Sequence, residues 1–139
     1  MEKKFLEFCE KKDLFTSHCR ILIAISGGLD SMNLYELLEK NKERLGIQLV
    51  LAHVNHGQRP ESDFEESELR KLAEKRETRI HVAYYSGAFT EAKARTFRYD
   101  FFKQIMEIED CTALVTGHHA NDQAETTFMR LIRGTKLRH

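Results

Sequence analysis

The sequence predicts an α/β fold, a parallel sheet with helices on both of its faces. Four short apolar runs, partly β-branched, alternate with longer segments of helical character along the 139 residues. Apolar strands that alternate with helices are typical of a parallel sheet buried on both sides, with right-handed crossovers. A single proline and 41% apolar residues agree with one folded domain.

The four strands are predicted from the apolar runs in chain order. Ile21–Ile25 is apolar throughout, and Ile47–His53 is apolar except for Gln48 and its final histidine. Ile80–Tyr84 carries one internal histidine, and Thr112–Thr116 is apolar between two threonines. Runs of this length and composition favour buried strands over helices.

The helices are predicted in the segments between and around these strands. An amphipathic helix is expected first, then one ended by Gly46, a charged helix after the loop that holds Pro60, and two more. Their expected bounds are Glu2–Phe15, Ser31–Arg44, Asp63–Glu77, Thr90–Ile108 and Asn121–Ile132, the last with Asn121 as its N-cap.

Polar residues gather just beyond three of the predicted strands. The three segments are Ser26–Ser31, His53–Arg59 and Gly117–Glu125. Ligands of parallel α/β sheets bind at the carboxyl ends of the strands. Because three separate segments meet this condition, the sequence predicts a ligand site at that edge of the sheet.

The turn Ser26–Ser31, with the sequence SGGLDS, predicts a phosphate cradle. Its glycines allow the backbone to approach an anion, and the first N–H groups of the following helix have no partners within the helix. The carboxylate of Asp30 would repel a phosphate unless a divalent cation lay between them. The turn therefore indicates a metal–nucleotide site in which Ser26 and Ser31 donate hydroxyl hydrogen bonds. An ordinary turn with Ser31 or Asp30 as N-cap is the alternative.

Several functional classes are disfavoured by the same sequence. The turn has neither the G-x-x-x-x-G-K-[ST] pattern of Walker-type NTPases nor the G-x-G-x-x-G pattern of dinucleotide dehydrogenases. Basic and acidic residues number 22 each, so net charge does not predict nucleic-acid binding. No apolar run reaches membrane-spanning length, and no signal peptide is evident. Cys9, Cys19 and Cys111 are widely spaced, as in cytoplasmic proteins with reduced thiols.

The turn resembles the PP-loop of the ATP pyrophosphatase superfamily, and three other stretches resemble one branch of it, the tRNA(Ile)-lysidine synthetases. These stretches are HVNHGQRPES at 53–62, EAKARTFRYDFF at 91–102 and GHHANDQAET at 117–126. The resemblance runs from Ile21 to His139. It implies a Rossmann-like fold of the adenine nucleotide alpha hydrolase type. It also implies that residues 1–139 are an N-terminal PP-loop ATP-binding catalytic domain, incomplete at its C-terminus.

The resemblance implies an ATP-dependent ligase. Such an enzyme joins lysine to the C2 position of the wobble cytidine of tRNA(Ile) with a CAU anticodon. The reaction passes through an adenylated base and releases pyrophosphate and AMP. ATP, Mg²⁺, free lysine and tRNA(Ile) are the implied cofactors and partners. A cytoplasmic location without membrane contact is expected, and a homodimer is left open.

The resemblance also implies roles for individual residues. Catalytic roles fall on Asp30, Arg98, His118, Asp122 and Glu125. ATP contacts fall on Ile25, Ser26, Gly27, Gly28, Leu29, Asp30, Ser31, His53 and Arg95. Magnesium is expected on Asp30 and Asp122, while Asn121 stands where the family has the first of two aspartates.

Plainer interpretations of some of these residues stay open on the sequence alone. His53 could be a strand-end residue that bonds only to backbone, and Arg59 could pair with Glu61. Arg95 could lie on a solvated helix face, above a core that contains Phe97. Asp122 and Glu125 could merely stabilise the start of a helix.

Three rival functions remain beside the ligase. A PP-loop tRNA thiolase would activate a base oxygen and deliver sulfur, but the cysteines form no CxxC motif. An amidating synthetase would act on a small carboxylic acid without tRNA. A non-catalytic module would bind ATP and never release pyrophosphate.

Overall fold

The computed structural model describes residues 19–26, 29–57, 60–86, 90–119 and 127–133. For residues 29–30, 117–119 and 127–133 it describes the backbone alone. The expected helix Glu2–Phe15 lies outside these ranges. Within them the chain alternates strands and helices up to its fourth strand and then adds a fifth.

Up to the fourth strand, the elements follow one another in the order expected. The strands are β1 Cys19–Ala24, β2 Ile47–Asn55, β3 Arg79–Tyr84, β4 Ala113–His119 and β5 Thr127–Arg133. The helices are α1 Leu29–Leu45, α2 Glu61–Lys75 and α3 Glu91–Glu109. The four predicted strands and three of the five predicted helices are confirmed, with ends that differ by at most three residues. Thr90 is the N-cap of α3, where its side chain accepts a hydrogen bond of 3.2 Å from the Lys93 N–H.

The five strands form one sheet in the order β3-β2-β1-β4-β5. The first four are parallel: Ile21 of β1 pairs with Leu49 of β2 on one side and with Ala113 of β4 on the other. Strand β3 joins β2 in the same sense. The central strand is therefore β1, and the turn that follows it emerges in the middle of the carboxyl edge.

Helices cover both faces of the sheet, as predicted. On one face, Ile21 and Ile23 of β1 pack in a cluster with Leu38 of α1 and Leu69 of α2. On the other face, Leu22 belongs to a cluster that α3 closes with Phe102, Ile105 and Met106. Successive residues of β1 point to opposite faces, and both faces are apolar, which explains why the strand has no polar alternation.

The predicted helix Asn121–Ile132 is wrong over the part that the structure describes. Residues Thr127–Arg133 form β5, which pairs antiparallel with β4, Leu114 opposite Ile132. Without β5, strand β4 would lie at the edge of the sheet with unpaired backbone groups. Pairing between the two strands satisfies these groups, and such tertiary pairing overrides a weak local preference for helix. The sheet is thus parallel over four strands with an antiparallel fifth strand.

A buried acid joins three elements at the amino edge of the sheet. Glu109, the last residue of α3, is 5% exposed and accepts hydrogen bonds from Arg79 at 2.7 Å and from His81 at 2.6 Å. Arg20 of β1 donates to the Glu109 backbone carbonyl at 2.6 Å. Burial opposes ionisation of Glu109, but the bonds from His81 and Arg79 outweigh it, so its pKa lies below the usual value.

The two cysteines in the described ranges are buried near the same edge. Cys19 opens β1, and Cys111 lies just before β4. Burial raises the pKa of the Cys111 thiol to about 12. Because the thiolate is the reactive form, we expect iodoacetamide at pH 8 to leave Cys111 unmodified in the folded chain and to modify it in urea. Peptide mass mapping measures both states, and equal labelling would contradict the buried placement.

None of the helices within the described ranges has both the length and the apolar composition needed to cross a bilayer.

Candidate functional site

A cavity of about 520 Å³ opens at the carboxyl edge of the sheet, between the end of β1 and helix α3. Its floor includes Ala24 and Ala52, whose small side chains leave room above the strands. Its polar lining consists of Ser26, Ser31, His53, His56, Glu65, Arg95, Arg98, Tyr99 and Thr116. The position agrees with the sequence-based expectation that a ligand binds at this edge.

The two serines of the predicted cradle hold its ends together. The Ser31 hydroxyl accepts a hydrogen bond of 2.9 Å from the Ser26 N–H and donates one of 3.1 Å to the Ser26 carbonyl. The two hydroxyl oxygens are 3.0 Å apart. Helix α1 has already begun at Leu29, so Asp30 and Ser31 lie in its first turn and neither is its N-cap. Gly27 and Gly28 lie outside the described residues, as do the side chains of Leu29 and Asp30.

His53 lies inside β2, which continues two residues past the predicted strand end. It is 4% exposed, and its Nδ1 lies 2.9 Å from the Ile25 carbonyl oxygen. A carbonyl can only accept, so Nδ1 carries a proton, and in the neutral ring Nε2 is then an acceptor. The ring bonds to backbone, as the plainer interpretation expects, and it also lines the cavity. Its contact with ATP stays a prediction.

His56 lines the same cavity, although it was not among the predicted site residues. Its ring packs edge-on against Tyr85, with centroids 5.8 Å apart. Burial, and after it the positive charge of Arg98, lower the pKa of His56 below its usual value. His56 is therefore mainly neutral at pH 7, and its ring can exchange hydrogen bonds with a ligand.

Helix α3 brings two arginines to the cavity wall. Arg95 and Arg98 are three residues apart, so they share one face of the helix. The Arg95 guanidinium lies 5.0 Å from the centroid of the Tyr99 ring, an arrangement that keeps it over the cavity. Two cations opposite a serine turn suit a ligand with several phosphate groups.

Glu65 and Thr116, like His56, line the cavity although they were not predicted as site residues. Glu65 projects from the charged helix α2, where nothing in the local pattern separates it from its acidic neighbours. Thr116 pairs with Ala24 at the end of β1, and this register could not be read from either strand alone.

The third predicted segment is only partly described. Gly117, His118 and His119 belong to β4 instead of following it, and His119 pairs with Thr127 of β5. The facing ends of β4 and β5 therefore lie at the carboxyl edge, where the cavity opens. Asp122 and Glu125 lie outside the described residues, and His118 is described by its backbone alone. Among the side chains that are described, none form a cluster of three or more potential metal ligands.

The loop after β2 is tied to α2 through Asn55. This residue is 4% exposed, and its amide nitrogen donates to Asp63 at 3.1 Å and to Glu66 at 3.0 Å. Its side-chain oxygen accepts from the Gly57 N–H at 2.8 Å. Gly57 has a φ of 63°, a conformation that favours glycine.

Glu66 makes this network sensitive to acid. Burial would raise its pKa, but hydrogen bonds from Tyr84, Asn55 and Arg70 outweigh it and lower the pKa to about 2. A carboxylate whose pKa falls on folding stabilises the fold above its unfolded pKa and loses that contribution as the pH drops. We expect stability to fall between about pH 4.5 and pH 2 through Glu66.

Glu66→Gln should flatten that part of the pH profile of the melting temperature. Glu68→Gln, on the same helix with its side chain half exposed, is the matched control and should leave the profile unchanged. Identical profiles for the two variants would contradict the assignment.

Comparisons with known proteins place this chain in a family. The family model described as a PP-loop domain matches residues 1–139. A tRNA(Ile)-lysidine synthase from Streptococcus gordonii is 55% identical over all 139 residues, and one from Streptococcus thermophilus is 52% identical. The chain spans about a third of the length of these relatives.

Among solved structures, the fold is similar to that of a U34-tRNA thiolase, NcsA from Methanococcus maripaludis, described with its [4Fe-4S] cluster. The TM-score is 0.66 at 16% identity, covering 85% of this chain and 46% of the thiolase. At that identity the likeness bears on the fold alone, and it agrees with the predicted adenine nucleotide alpha hydrolase type. With its family model matched from end to end, the chain belongs to the PP-loop domain family.

Proposed function

We propose that this chain is the PP-loop portion of a tRNA(Ile)-lysidine synthase, a ligase that uses ATP to join lysine to the wobble cytidine of tRNA(Ile). The observation that carries the proposal is the cavity at the carboxyl edge of the sheet. Its lining brings together the serines Ser26 and Ser31, the arginines Arg95 and Arg98, and the histidines His53 and His56. Relatives that are 55% and 52% identical to this chain over its 139 residues bear that name.

In this proposal ATP fills the cavity. Its phosphates lie between the turn 25–31 and the arginines Arg95 and Arg98, where backbone N–H groups and guanidinium groups can offset their charge. The adenine lies beside His53. With Nδ1 bonded to Ile25, the Nε2 of a neutral His53 accepts a hydrogen bond from a ligand, and the exocyclic amino group of adenine can donate one.

Magnesium is proposed to lie on Asp30 and Asp122, with carboxylate oxygens of the kind it prefers. The backbone of Asp30 fits that role, since it lies in the first turn of α1 beside Ser31 of the cavity. When bound, the ion would neutralise charge on the departing pyrophosphate. Glu125 is proposed to hold the ammonium group of lysine and His118 to contact the cytosine.

The chemistry has two displacements. The C2 oxygen of cytidine attacks the α-phosphorus of ATP, and pyrophosphate leaves. The lysine ε-amine, having lost a proton, then attacks C2, and AMP leaves with the oxygen. Arg98 stabilises the charge that develops on the phosphate oxygens. The cavity holds the reacting groups close together, which lowers the entropic part of the barrier.

The test combines ATP, magnesium, labelled lysine and a tRNA(Ile) transcript with a protein that extends this chain to the length of its relatives. We expect AMP release and labelled tRNA together, and both to be lost when the wobble cytidine is replaced. AMP without labelled tRNA would reject lysine transfer. Absence of both with ATP bound would favour a non-catalytic module.

The thiolase rival requires reactive thiols near the cavity. Cys19 and Cys111 are buried at the opposite edge of the sheet, and Cys9 lies outside the described residues. Replacing all three by serine should leave lysine transfer intact, and loss of activity in a folded variant would revive that rival. A cytoplasmic location and a homodimer belong to the proposal as expectations.

A further inference from the structure

The short turn after β2 is held from both sides of His56. Asn55, which precedes His56, accepts from the N–H of Gly57, which follows it, at 2.8 Å. The Asn55 backbone carbonyl accepts from the Tyr85 N–H at 2.9 Å, which ties the same residue to the segment after β3. The backbone on both sides of His56 is thus fixed, and the ring between them lines the cavity.

The direction of the Asn55 amide is set by its acidic neighbours. Carboxylates of Asp63 and Glu66 accept hydrogen bonds and cannot donate them when ionised, so the amide nitrogen must face them and the oxygen must face Gly57. Glu66 is itself held through its other oxygen, which accepts from Tyr84 at 2.6 Å and from Arg70 at 2.8 Å. A chain of bonds thus runs from the surface of α2 to the turn.

We propose that Asn55 and Glu66 are positioning residues that aim His56 at the cavity and thereby set its affinity for ATP. Neither residue lines the cavity, so each acts through the turn. The identity of the ligand rests on the function proposed above. The geometry of the turn does not, and it can be tested separately.

Asn55→Asp is the most selective change. The new carboxylate can still accept a hydrogen bond from the Gly57 N–H. It cannot donate to the carboxylates of Asp63 and Glu66, and its negative charge is repelled by theirs, so we expect the turn to move away from α2. The dissociation constant for ATP should rise roughly tenfold, the effect of losing one buried hydrogen bond to a charged group. For AMP release by the extended protein, KM should rise much more than kcat changes.

The double variant Asn55→Asp/Glu66→Gln reverses the direction of one bond. The amide introduced at position 66 can donate to the new carboxylate, while its oxygen still accepts from Tyr84. Much of the ATP affinity should therefore return. If Asn55→Asp alone folds poorly, Glu66→Gln alone weakens the same contact from the surface and should change affinity in the same direction.

Asn41→Asp is the matched control. Asn41 is also buried, at 8% exposure, but its amide donates to the Leu37 carbonyl within α1 at 2.8 Å, away from the cavity. The same chemical change there should lower stability and leave ATP affinity within about twofold. Equal losses of affinity in the Asn41 and Asn55 variants would overturn the proposal, because general destabilisation would then explain both.

The NMR signals of the His56 ring give a measurement that needs no ligand. They should shift in Asn55→Asp, move back in the double variant and stay in place in Asn41→Asp. Unmoved signals in Asn55→Asp would overturn the proposal even if ATP binding changed. If the unaltered chain bound no ATP, the proposed function would fail, and these signals would still decide whether Asn55 positions His56.

Discussion

Replacing Arg98 by glutamine is expected to lower the rate of ATP-dependent AMP release by about 10² to 10³-fold. Arg98 lines the cavity from α3, where it is half-buried, and its charge helps to lower the pKa of His56. Glutamine retains hydrogen-bond donors but has no charge to offset that of a phosphate. Turnover at saturating ATP and tRNA measures the loss in a protein extended to the length of the relatives.

Lys103→Gln is the control for this experiment. Lys103 lies further along the same helix and is not among the residues that line the cavity. Removing its charge should change the rate by less than twofold. If both variants reacted at the rate of the unaltered protein, Arg98 would have no part in the chemistry and the phosphate site would have to be sought elsewhere.

Replacing Ile23 by alanine should lower the free energy of unfolding by about 2 to 5 kcal/mol. Ile23 is completely buried in the central strand and belongs to the cluster covered by α1 and α2. The loss combines the transfer free energy of the removed groups with the cost of the cavity that they leave. Urea unfolding of the purified variant gives the value.

The chain offers an isoleucine that tests the reason for this loss. Ile108 lies in the last turn of α3 and is 71% exposed. Ile108→Ala makes the same chemical change without opening a cavity, and alanine favours helix. Its effect should stay within about 0.5 kcal/mol. Similar losses at both positions would show that burial is not what makes Ile23 important.

Strands β1, β2 and β4 were predictable because they are largely buried and apolar within their own sequence. Strand β3 was predictable from its apolar run, although its residues are only half-buried or exposed. Strand β5 was not, since Thr127–Arg133 adopts its conformation through pairing with β4. Nothing local records that pairing, while Asn121 and the acids after it gave a helix start signal. The local pattern thus predicted a helix in a segment where pairing with β4 produces a strand.

The candidate site divides in the same way. Ser31 was singled out from its position in the turn after a strand, and Arg98 and His53 from the resemblance to the lysidine synthetases. All three line the cavity. Glu65 and Thr116 were missed because their places in the cavity depend on how α2 packs and on the register of β4 with β1. A single sequence contains no local pattern that predicts the place of such residues.

The buried Glu109 cluster lies at the edge of the sheet opposite the cavity, and this separation bears on how the protein can change. Substitutions around Glu109 alter how much folded protein is present, whereas substitutions around the cavity alter what each folded molecule does. A mutational scan that measures both the abundance and the activity of each variant should therefore separate two groups of positions. Substitutions at the amino edge of the sheet should lower abundance, and those at the carboxyl edge should lower activity. Substitutions that aim to raise the stability of the protein can therefore be made at the amino edge, away from the cavity.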